Sequence, residues 1–231
     1  MRHAFITGAN RGLGLEFCRQ LLAEGWGVHA CCRAPESADA LAKLAIESRG
    51  GLRVMGLDVA DGLQISELPG RLEGVGHLDL LVNNAGVLVS GERFGNVRAE
   101  DLVRSFAVNA CAPLLITQSL APLLGRGHHA RVLCVSSQLG SIAQAHEFRT
   151  VSYAVSKAAL NMGVRRLAAE LGRHGVTVVA MHPGWVRTDM GGTTAPLTPD
   201  FSVRGMLRIA QQLTPEDGGR FYAHDGSELP W

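Results

Sequence analysis

One short segment of the chain combines two residue types that could carry out proton transfer. In Val151–Leu160, Tyr153 stands four residues before Lys157, so on an α-helix both side chains point from the same face. The chain has two tyrosines, and only Lys43 and Lys157 among its 22 Lys and Arg residues are lysines. Because arginine supplies nearly all the positive charge, a lysine here indicates a role that needs a compact ammonium. The pair therefore indicates a functional site on one helix face; the alternative is an ordinary helix with a surface lysine.

A glycine-rich turn near the amino terminus is typical of a phosphate site. The apolar run Arg2–Thr7 leads into Gly8-Ala-Asn-Arg-Gly12-Leu-Gly14, and the pattern then becomes helical. Glycine lets the backbone approach a pyrophosphate, and a helix N-terminus offers free N–H groups and a positive dipole end. The spacing is GxxxGxG, and taken alone a tight strand–helix connection would explain it equally well. The binding residues predicted in this turn are Gly8, Asn10, Arg11, Gly12, Leu13 and Gly14.

The end of the second predicted strand bears on the choice of cofactor. The run Val28–Cys32 is followed by Arg33, and no Asp or Glu stands at its end. An acidic residue there would bind a ribose 2′-hydroxyl, whereas Arg accommodates a 2′-phosphate. Arg11 in the glycine-rich turn could approach the same phosphate. These residues favour NADP(H), with NAD(H) possible; the alternative is that both arginines are solvated surface charges.

Two further strand ends carry candidate cofactor contacts. An acid after the strand Leu52–Leu57 could accept a hydrogen bond from an adenine amino group, or could cap the next helix. The strand His77–Val82 closes in two Asn residues, which can fix a loop, and then in small residues that admit a flat ring. The binding residues predicted at these ends are Asp58, Val59, Asn84, Ala85 and Gly86.

Two polar residues could support the chemistry. Ser137 follows the predicted strand Arg131–Val135, so it lies at the sheet edge where ligands bind in open α/β sheets. Asn109 lies inside a long predicted helix, shortly before Pro113, and this arrangement often marks a local distortion. An Asn amide satisfied by backbone groups is the simpler interpretation of Asn109, and it is compatible with a supporting role.

Strands and helices alternate along the whole chain of 231 residues. This alternation predicts an α/β fold: a single Rossmann-like, doubly wound domain over residues 1–231, with a mainly parallel sheet and helices on both faces. A small, polar, Pro-containing segment predicts a short substrate lid around residues 188–204.

Composition disfavours several classes of protein. The net charge is +1 without a basic block, so we expect no nucleic-acid partner. We see no apolar run that could span a bilayer, no signal peptide and no metal-ligand spacing, so we expect no membrane and no metal. The five cysteines form no CxxC motif, and we interpret them as reduced, mostly buried residues of a cytoplasmic protein. A catalytic cysteine is the lesser alternative.

Together these motifs resemble the short-chain dehydrogenase/reductase family over nearly the full length of the chain. The matching pieces are Thr7–Gly14, Asp58-Val59, Asn83-Asn84-Ala85-Gly86, Asn109, Ser137 with Gly140, Tyr153-Ala-Val-Ser-Lys157 and Pro183-Gly184. The segments Gly184–Gly192 and Gly226–Trp231 look like the sniffer and C-factor type of carbonyl reductase within that family. The gap from Ser137 to Tyr153 is slightly longer than usual in the family, which bears on substrate shape.

The resemblance implies hydride transfer between a nicotinamide and a small carbonyl or alcohol substrate. It implies that Tyr153 exchanges the proton, that Lys157 and the positive nicotinamide lower the pKa of Tyr153 towards neutrality, and that Ser137 binds the reacting oxygen. Lys157 would also hold the ribose hydroxyls, and Asn109 would anchor a water for proton relay. Contacts implied near the nicotinamide are Pro183, Gly184, Val186 and Thr188; the substrate contacts are Ser137, Leu139, His146, Tyr153 and Trp185.

Other functions stay open on the sequence. A non-catalytic NADP(H)-binding regulatory or sensor protein could share this fold, although it would need only the cofactor half of the motif set. An enzyme that uses the nucleotide for epimerisation or dehydration is disfavoured, because the segment after Thr188 is short. The resemblance further suggests a homodimer or homotetramer assembled through the two long helices.

Overall fold

One sheet of seven strands forms the centre of the fold, in a computed structural model that describes residues 1–231. The strands are β1 His3–Thr7, β2 Gly27–Cys32, β3 Leu52–Gly56, β4 Leu80–Asn83, β5 Arg131–Val135, β6 Thr177–His182 and β7 Phe221–Ala223. They are all parallel and lie in the order β3-β2-β1-β4-β5-β6-β7. The helices are α1 Gly12–Ala23, α2 Asp39–Glu47, α3 Gly62–Ser66, α4 Leu68–Arg71, α5 Ala99–Phe106, α6 Ala112–Leu124, α7 Val151–Leu171 and α8 Pro199–Gln212. The predicted fold class is confirmed.

Helices cover both faces of the sheet. Alternate residues of each strand point to opposite faces, so each strand contributes to the core on both sides. In β1, Ile6 packs with the cluster that contains residues of α1 and α8, whereas Phe5 packs with the cluster that contains residues of α6 and α7. In β6, Val179 and Val178 divide between the two clusters in the same way. Because the strands are parallel, the two clusters hold their carboxyl ends at one common edge of the sheet.

The predicted distortion at Asn109 is confirmed as a π-helical turn, Ala107–Cys111, between α5 and α6. The turn lets the helix continue through Pro113, which occupies one of the first positions of α6 where a proline nitrogen is tolerated. Asn109 is fully buried. The distortion thus turns an amide side chain inward at a fixed depth in the fold.

The same helix corrects one sequence expectation. Residues Ala99–Leu124 are long and apolar enough, by length and composition alone, to cross a membrane. The sequence predicts no spanning segment, because no apolar run stands out as both long enough and clean enough, but a spanning helix tolerates a few charges. Half of its most apolar window is buried inside the domain, where Ile116, Leu120 and Leu124 join the core. A core helix of this kind meets the same criteria.

Two predicted boundaries shift. Strand β4 begins at Leu80 rather than His77, and the carboxylate of Asp79, just before it, accepts hydrogen bonds from the backbone N–H groups of His3 (2.8 Å) and His128 (2.9 Å). Residues from Pro199 onward, which we placed in the lid, already form the first turns of α8.

The expected burial of the cysteines is confirmed for four of five: Cys18, Cys31, Cys32 and Cys134 are buried, and Cys111 is exposed. Burial raises the pKa of Cys18 and of Cys134 to about 12. A thiol with such a pKa stays protonated near neutral pH and is a poor nucleophile. This result disfavours a catalytic role for either residue.

A histidine cluster at the opposite edge of the sheet predicts a pH-dependent stability. His29 on β2 is buried, its ring stacks on His3 at 5.6 Å between centroids, and neither ring nitrogen has a hydrogen-bond partner. Burial, then the nearby charges of His3 and Arg53, lower the pKa of His29 to about 4 from 6.5. The unfolded chain therefore binds more protons between these values. We expect neutral His29 to contribute fully to the free energy of unfolding above pH 6.5. As the pH falls towards 4, the free energy of unfolding should fall by about 2 kcal/mol.

Urea unfolding of the wild type and His29→Phe at pH 7.5 and 5.0 checks this expectation. The variant should lose less free energy of unfolding on acidification than the wild type, whereas His174→Phe, which changes an exposed histidine, should behave as the wild type. Equal losses in wild type and His29→Phe would refute the assignment.

Candidate active site

The candidate site lies at the carboxyl ends of the strands, between β1 and β4. From there β1 to β3 extend the sheet to one side and β4 to β7 extend it to the other. Strands β1 and β4 are neighbours although β2 and β3 intervene in sequence, and ligands of open α/β sheets bind at such a switch point. The glycine-rich turn follows β1, Asn84 follows β4, and Ser136 and Ser137 follow β5. A cavity of about 630 Å³ opens at this edge.

The glycine-rich turn is shaped by close backbone approaches. Gly8 and Gly12 have φ values of +63° and +54°, in the left-handed region that favours glycine. A Cβ on Gly14 would lie 2.2 Å from the carbonyl oxygen of Gly8, so α1 packs directly on the turn. No side chain caps the N-terminus of α1, and no acidic residue stands in its first turn. The free N–H groups and the dipole of α1 therefore suit an anionic ligand.

Asn84 fixes the turn to the end of β4. Its amide Nδ2 donates to the carbonyl oxygens of Thr7 (2.9 Å) and Gly8 (3.1 Å). The hydroxyl oxygen of Thr7 accepts from the backbone N–H groups of Asn84 and Ala85, both at 3.0 Å. A Cβ on Gly8 would lie 2.9 Å from the Cα of Ala85. The predicted loop-fixing role of an Asn at this strand end matches these contacts.

The two arginines predicted for a ribose phosphate both line the cavity, as do Asp58 and Val59. The guanidinium of Arg11 pairs with the carboxylate of Asp189 at 2.5 Å, an exposed contact between the turn and the predicted lid. Asp58 Oδ1 accepts from the backbone N–H of Ala60 at 2.9 Å. Asp58 thus ties its own loop as well as facing the cavity.

We expect Arg33→Asp to shift cofactor preference from NADPH towards NADH by about 10- to 100-fold in the ratio of kcat/KM values. The change removes a charged partner of the 2′-phosphate and supplies an acceptor for a 2′-hydroxyl. Steady-state kinetics with both cofactors measures the ratio, with Arg173→Asp, at an exposed arginine outside the cavity, as the matched control. An unchanged ratio in Arg33→Asp would disprove the phosphate assignment.

Tyr153 and Lys157 are brought together on α7, as predicted, and both are buried. The Nζ of Lys157 lies 5.6 Å from the centroid of the Tyr153 ring and donates to the carbonyl oxygen of Val135 at 2.7 Å. Ser137 is also buried, at the end of β5, and its hydroxyl oxygen accepts from the backbone N–H of Leu139 at 3.2 Å. A Cβ on Gly140 would lie 2.7 Å from the Cβ of Lys157, so the loop after Ser137 packs tightly on α7.

Burial dominates the ionisation of this pair. It raises the pKa of Tyr153 to about 12, opposed by the nearby Ser137 side chain, and it lowers the pKa of Lys157 to about 8. The expected lowering of the Tyr153 pKa is therefore not produced by the groups of the protein alone. A phenol with this pKa is protonated at neutral pH, which is the form needed to donate a proton.

Asn109 contacts the protein with its whole amide. Its Oδ1 accepts from the backbone N–H of Val87 at 2.8 Å, and its Nδ2 donates to the carbonyl oxygen of Val87 (2.8 Å) and to Ser156 Oγ (2.9 Å). Ser156 Oγ donates in turn to the carbonyl oxygen of Tyr153 at 2.7 Å. Asn109 therefore links the loop after Gly86 to the helix that carries Tyr153.

The sequence did not reveal a second buried network that joins β5 to α7. Ser136 Oγ donates to Asn161 Oδ1 at 2.6 Å, and Asn161 Nδ2 donates to the carbonyl oxygen of Gly140 at 3.1 Å. Asn161 stands one helical turn after Lys157, so it continues the polar face that carries Tyr153 and Lys157, and this spacing was the available signal. The network fixes the loop of Ser137 against the helix of Tyr153.

The cavity includes most but not all of the predicted residues. Gly14, Gly184 and Val186 support its walls without lining it; Gly184 has φ +80°, and Val186 pairs with Leu197 as an isolated bridge. Asn109, Ser137, Leu139, His146 and Trp185 do not line the cavity. Leu139, His146 and Trp185 are exposed. Lining residues that we did not predict include Leu15, Glu16, Arg19, Cys32, Leu57, Ala60, Val87, Arg104, Val108, Val135, Ser136, Arg187, Asp189, Met190 and Pro199.

The comparisons with known proteins agree with this geometry. Residues 2–196 match the family model described as short chain dehydrogenase. The chain therefore belongs to the short chain dehydrogenase family, a family of oxidoreductases.

The similar proteins include two carbonyl reductases of known structure and a protein named C-signal. The NADPH-bound carbonyl reductase from chicken fatty liver is 37% identical, with a TM-score of 0.93 over 100% of this chain and 99% of that one. The carbonyl reductase Sniffer of D. melanogaster is 30% identical, with a TM-score of 0.95 over the whole of both chains. The protein named C-signal from Myxococcus xanthus is 45% identical over 156 residues, which are 68% of this chain and 94% of that protein. The predicted resemblance to carbonyl reductases is confirmed.

Proposed function

We propose that the protein is an NADP(H)-dependent oxidoreductase that reduces a ketone, aldehyde or quinone to an alcohol, or catalyses the reverse. The observation that carries the proposal is the buried set of Ser137, Tyr153 and Lys157 beside a dinucleotide-sized cavity. A proton donor, a second hydroxyl and an ammonium at one strand edge suit a reacting carbonyl oxygen.

The residues of the cavity fit NADP(H). Its volume falls in the range typical of small-molecule sites, and Gly8 and Gly12 line it without a side chain that could obstruct a ligand. The N-terminus of α1 would hold the pyrophosphate, Arg11 and Arg33 the 2′-phosphate, and Lys157 the nicotinamide ribose. The arginines support NADP(H) as the preferred cofactor, with NAD(H) possible.

The chain supplies positioning and the proton, whereas bound NADPH supplies the hydride. Ser137 donates a hydrogen bond to the carbonyl oxygen and stabilises the charge that develops there. Tyr153 donates a hydrogen bond to the same oxygen and gives up its proton as that oxygen becomes more basic. Lys157 stabilises the phenolate that remains, and Asn109 keeps the loop after Gly86 and α7 in register.

A second candidate is a non-catalytic NADP(H)-binding regulatory or sensor protein. The similarity to a protein named C-signal is the observation that favours it. A sensor would need the cofactor cavity but would not need the buried hydroxyls of Ser137 and Tyr153 beside it. Epimerisation or dehydration stays disfavoured, because α8 begins at Pro199 and leaves only a short segment for a larger substrate pocket.

A panel of ketones, aldehydes and quinones mixed with the protein and NADPH tests the proposal. We expect oxidation of NADPH that depends on a carbonyl compound, with the matching alcohol as product. Saturable NADPH binding without oxidation by any compound of the panel would favour the sensor.

We further propose a cytoplasmic homodimer or homotetramer. Large apolar side chains are exposed on the two long helical elements, among them Val103 on α5, Leu115 on α6 and Met162 on α7. Their exposure supports a contact between copies through these helices. Sedimentation equilibrium of the wild type and Met162→Glu distinguishes a dimer or tetramer from a monomer.

A further inference from the structure

Glu92 is a buried acidic side chain on an otherwise largely exposed loop, residues 88–98. It is 3% exposed, and its carboxylate makes no ion pair. Its Oε2 accepts from the backbone N–H of Ser152 at 3.0 Å, whereas its Oε1 is buried without a partner. Burying a carboxylate costs free energy, and the hydrogen bond to Ser152 is the one contact that offsets this cost for Glu92.

The contact falls at the start of the catalytic helix α7, which lacks a cap of its own. Thr150 precedes the helix in the left-handed conformation, with φ +44°, and its side chain makes no capping bond. Its hydroxyl oxygen is buried without a partner, and so is that of Ser152. The first N–H groups of a helix need acceptors, and a negative charge there is favoured by the helix dipole. Glu92 supplies both an acceptor and a negative charge, from a loop 60 residues away in sequence.

The loop holds Glu92 in a defined place. Asn96 Oδ1 accepts from the backbone N–H of Arg93 at 2.6 Å, and Asn96 Nδ2 donates to the carbonyl oxygen of Gly91 at 3.2 Å. Gly91 has φ +82°, which glycine adopts without strain. These bonds close a compact turn on either side of Glu92, so the carboxylate is presented to α7 by a braced loop.

We propose that Glu92 is a positioning residue for Tyr153: its carboxylate fixes the first turn of α7 and thereby sets where the phenol lies relative to Ser137. The inference rests on the proposed role of Tyr153 as the proton donor. Tyr153 is the residue after Ser152, in the same first turn. Without the carboxylate this turn loses its acceptor, and the hydroxyl pair moves out of register. Because a misplacement of about 1 Å can cost roughly 100-fold in rate, we expect a large effect on kcat.

The test compares Glu92→Ala with Glu92→Gln, which keeps an acceptor oxygen at nearly the same place. We expect Glu92→Ala to lower kcat for a carbonyl substrate by about 10- to 100-fold and to leave the Kd of NADPH within about twofold. Glu92→Gln should retain most of the turnover. Asp61→Ala is the matched control, because Asp61 caps α3 by accepting from Leu63 and Gln64 N–H groups and does not line the cavity. It should lower stability without lowering kcat.

Amide hydrogen exchange gives a readout that does not depend on turnover. We expect faster exchange at Ser152 and Tyr153 in Glu92→Ala than in the wild type or Glu92→Gln. If Glu92→Ala does not fold, Glu92→Asp, which withdraws the carboxylate by one methylene, should show the same changes to a lesser degree. Wild-type kcat in folded Glu92→Ala, or equal losses in the Ala and Gln variants, would overturn the proposal. A wild type without any carbonyl-dependent oxidation would instead overturn the proposed function, and the exchange measurement would still test the anchor.

Discussion

Tyr153→Phe is expected to lower carbonyl-dependent oxidation of NADPH to near background, a fall of about 10³-fold in kcat, while NADPH binds as in the wild type. The substitution removes one hydroxyl from a buried ring and therefore deletes the proton that the proposed reduction needs. Because the ring remains, the packing of α7 should persist. Stopped-flow turnover and fluorescence titration with NADPH measure the two effects separately.

The chain provides a matched control in its only other tyrosine. Tyr222 donates to Asp217 Oδ1 at 2.7 Å, on the outer strand β7 away from the cavity. Tyr222→Phe removes the same atom, together with the hydrogen bond to Asp217, yet it should leave kcat unchanged. Full turnover in Tyr153→Phe would exclude the phenol as the acid, and a parallel loss in Tyr222→Phe would show that the assay reports stability rather than chemistry.

Lys157→Arg is the second substitution with a large expected effect, although it preserves the charge. Lys157 is 3% exposed, its Nζ donates to Val135, and the loop at Gly140 packs against its Cβ. A planar guanidinium is too large for this slot and cannot reproduce the point-like ammonium. We expect kcat to fall by about 100-fold or more, and stability to fall as well, because overpacking a buried site is costly.

The only other lysine again serves as the control. Lys43 lies on the exposed face of α2, with its Nζ 3.9 Å from Glu47. Lys43→Arg should leave both kcat and the free energy of unfolding within error of the wild type. Lys157→Met, which keeps the length but not the charge, separates bulk from charge: low turnover in both Lys157 variants supports a need for the compact ammonium. Wild-type turnover in Lys157→Arg would contradict its proposed role.

Much of the fold could be predicted because its signals are local. Apolar runs marked each strand, glycines marked the turn after β1, and an Asn shortly before Pro113 marked the π-helical turn. The candidate catalytic residues were found because strand ends and one helical turn fix where Ser137, Tyr153 and Lys157 stand.

The remaining features depend on contacts between distant residues, which no local pattern encodes. Glu92 and Ser152 are 60 positions apart, and Arg11 and Asp189 are 178 apart. The pKa of Tyr153 in the protein alone depends on the fold in the same way: charge neighbours can be read from spacing, whereas the depth of burial that dominates the pKa requires the packed fold.

Transfer of deuterium from NADPH labelled at the nicotinamide C4 position tests the central claim most directly. A carbonyl compound that the wild type reduces should yield an alcohol with one deuterium on its carbinol carbon, detected by mass spectrometry. Tyr153→Phe should bind the labelled cofactor and yield almost none of this product. Alcohol without deuterium, or equal deuterium transfer by the wild type and Tyr153→Phe, would contradict hydride transfer assisted by this phenol.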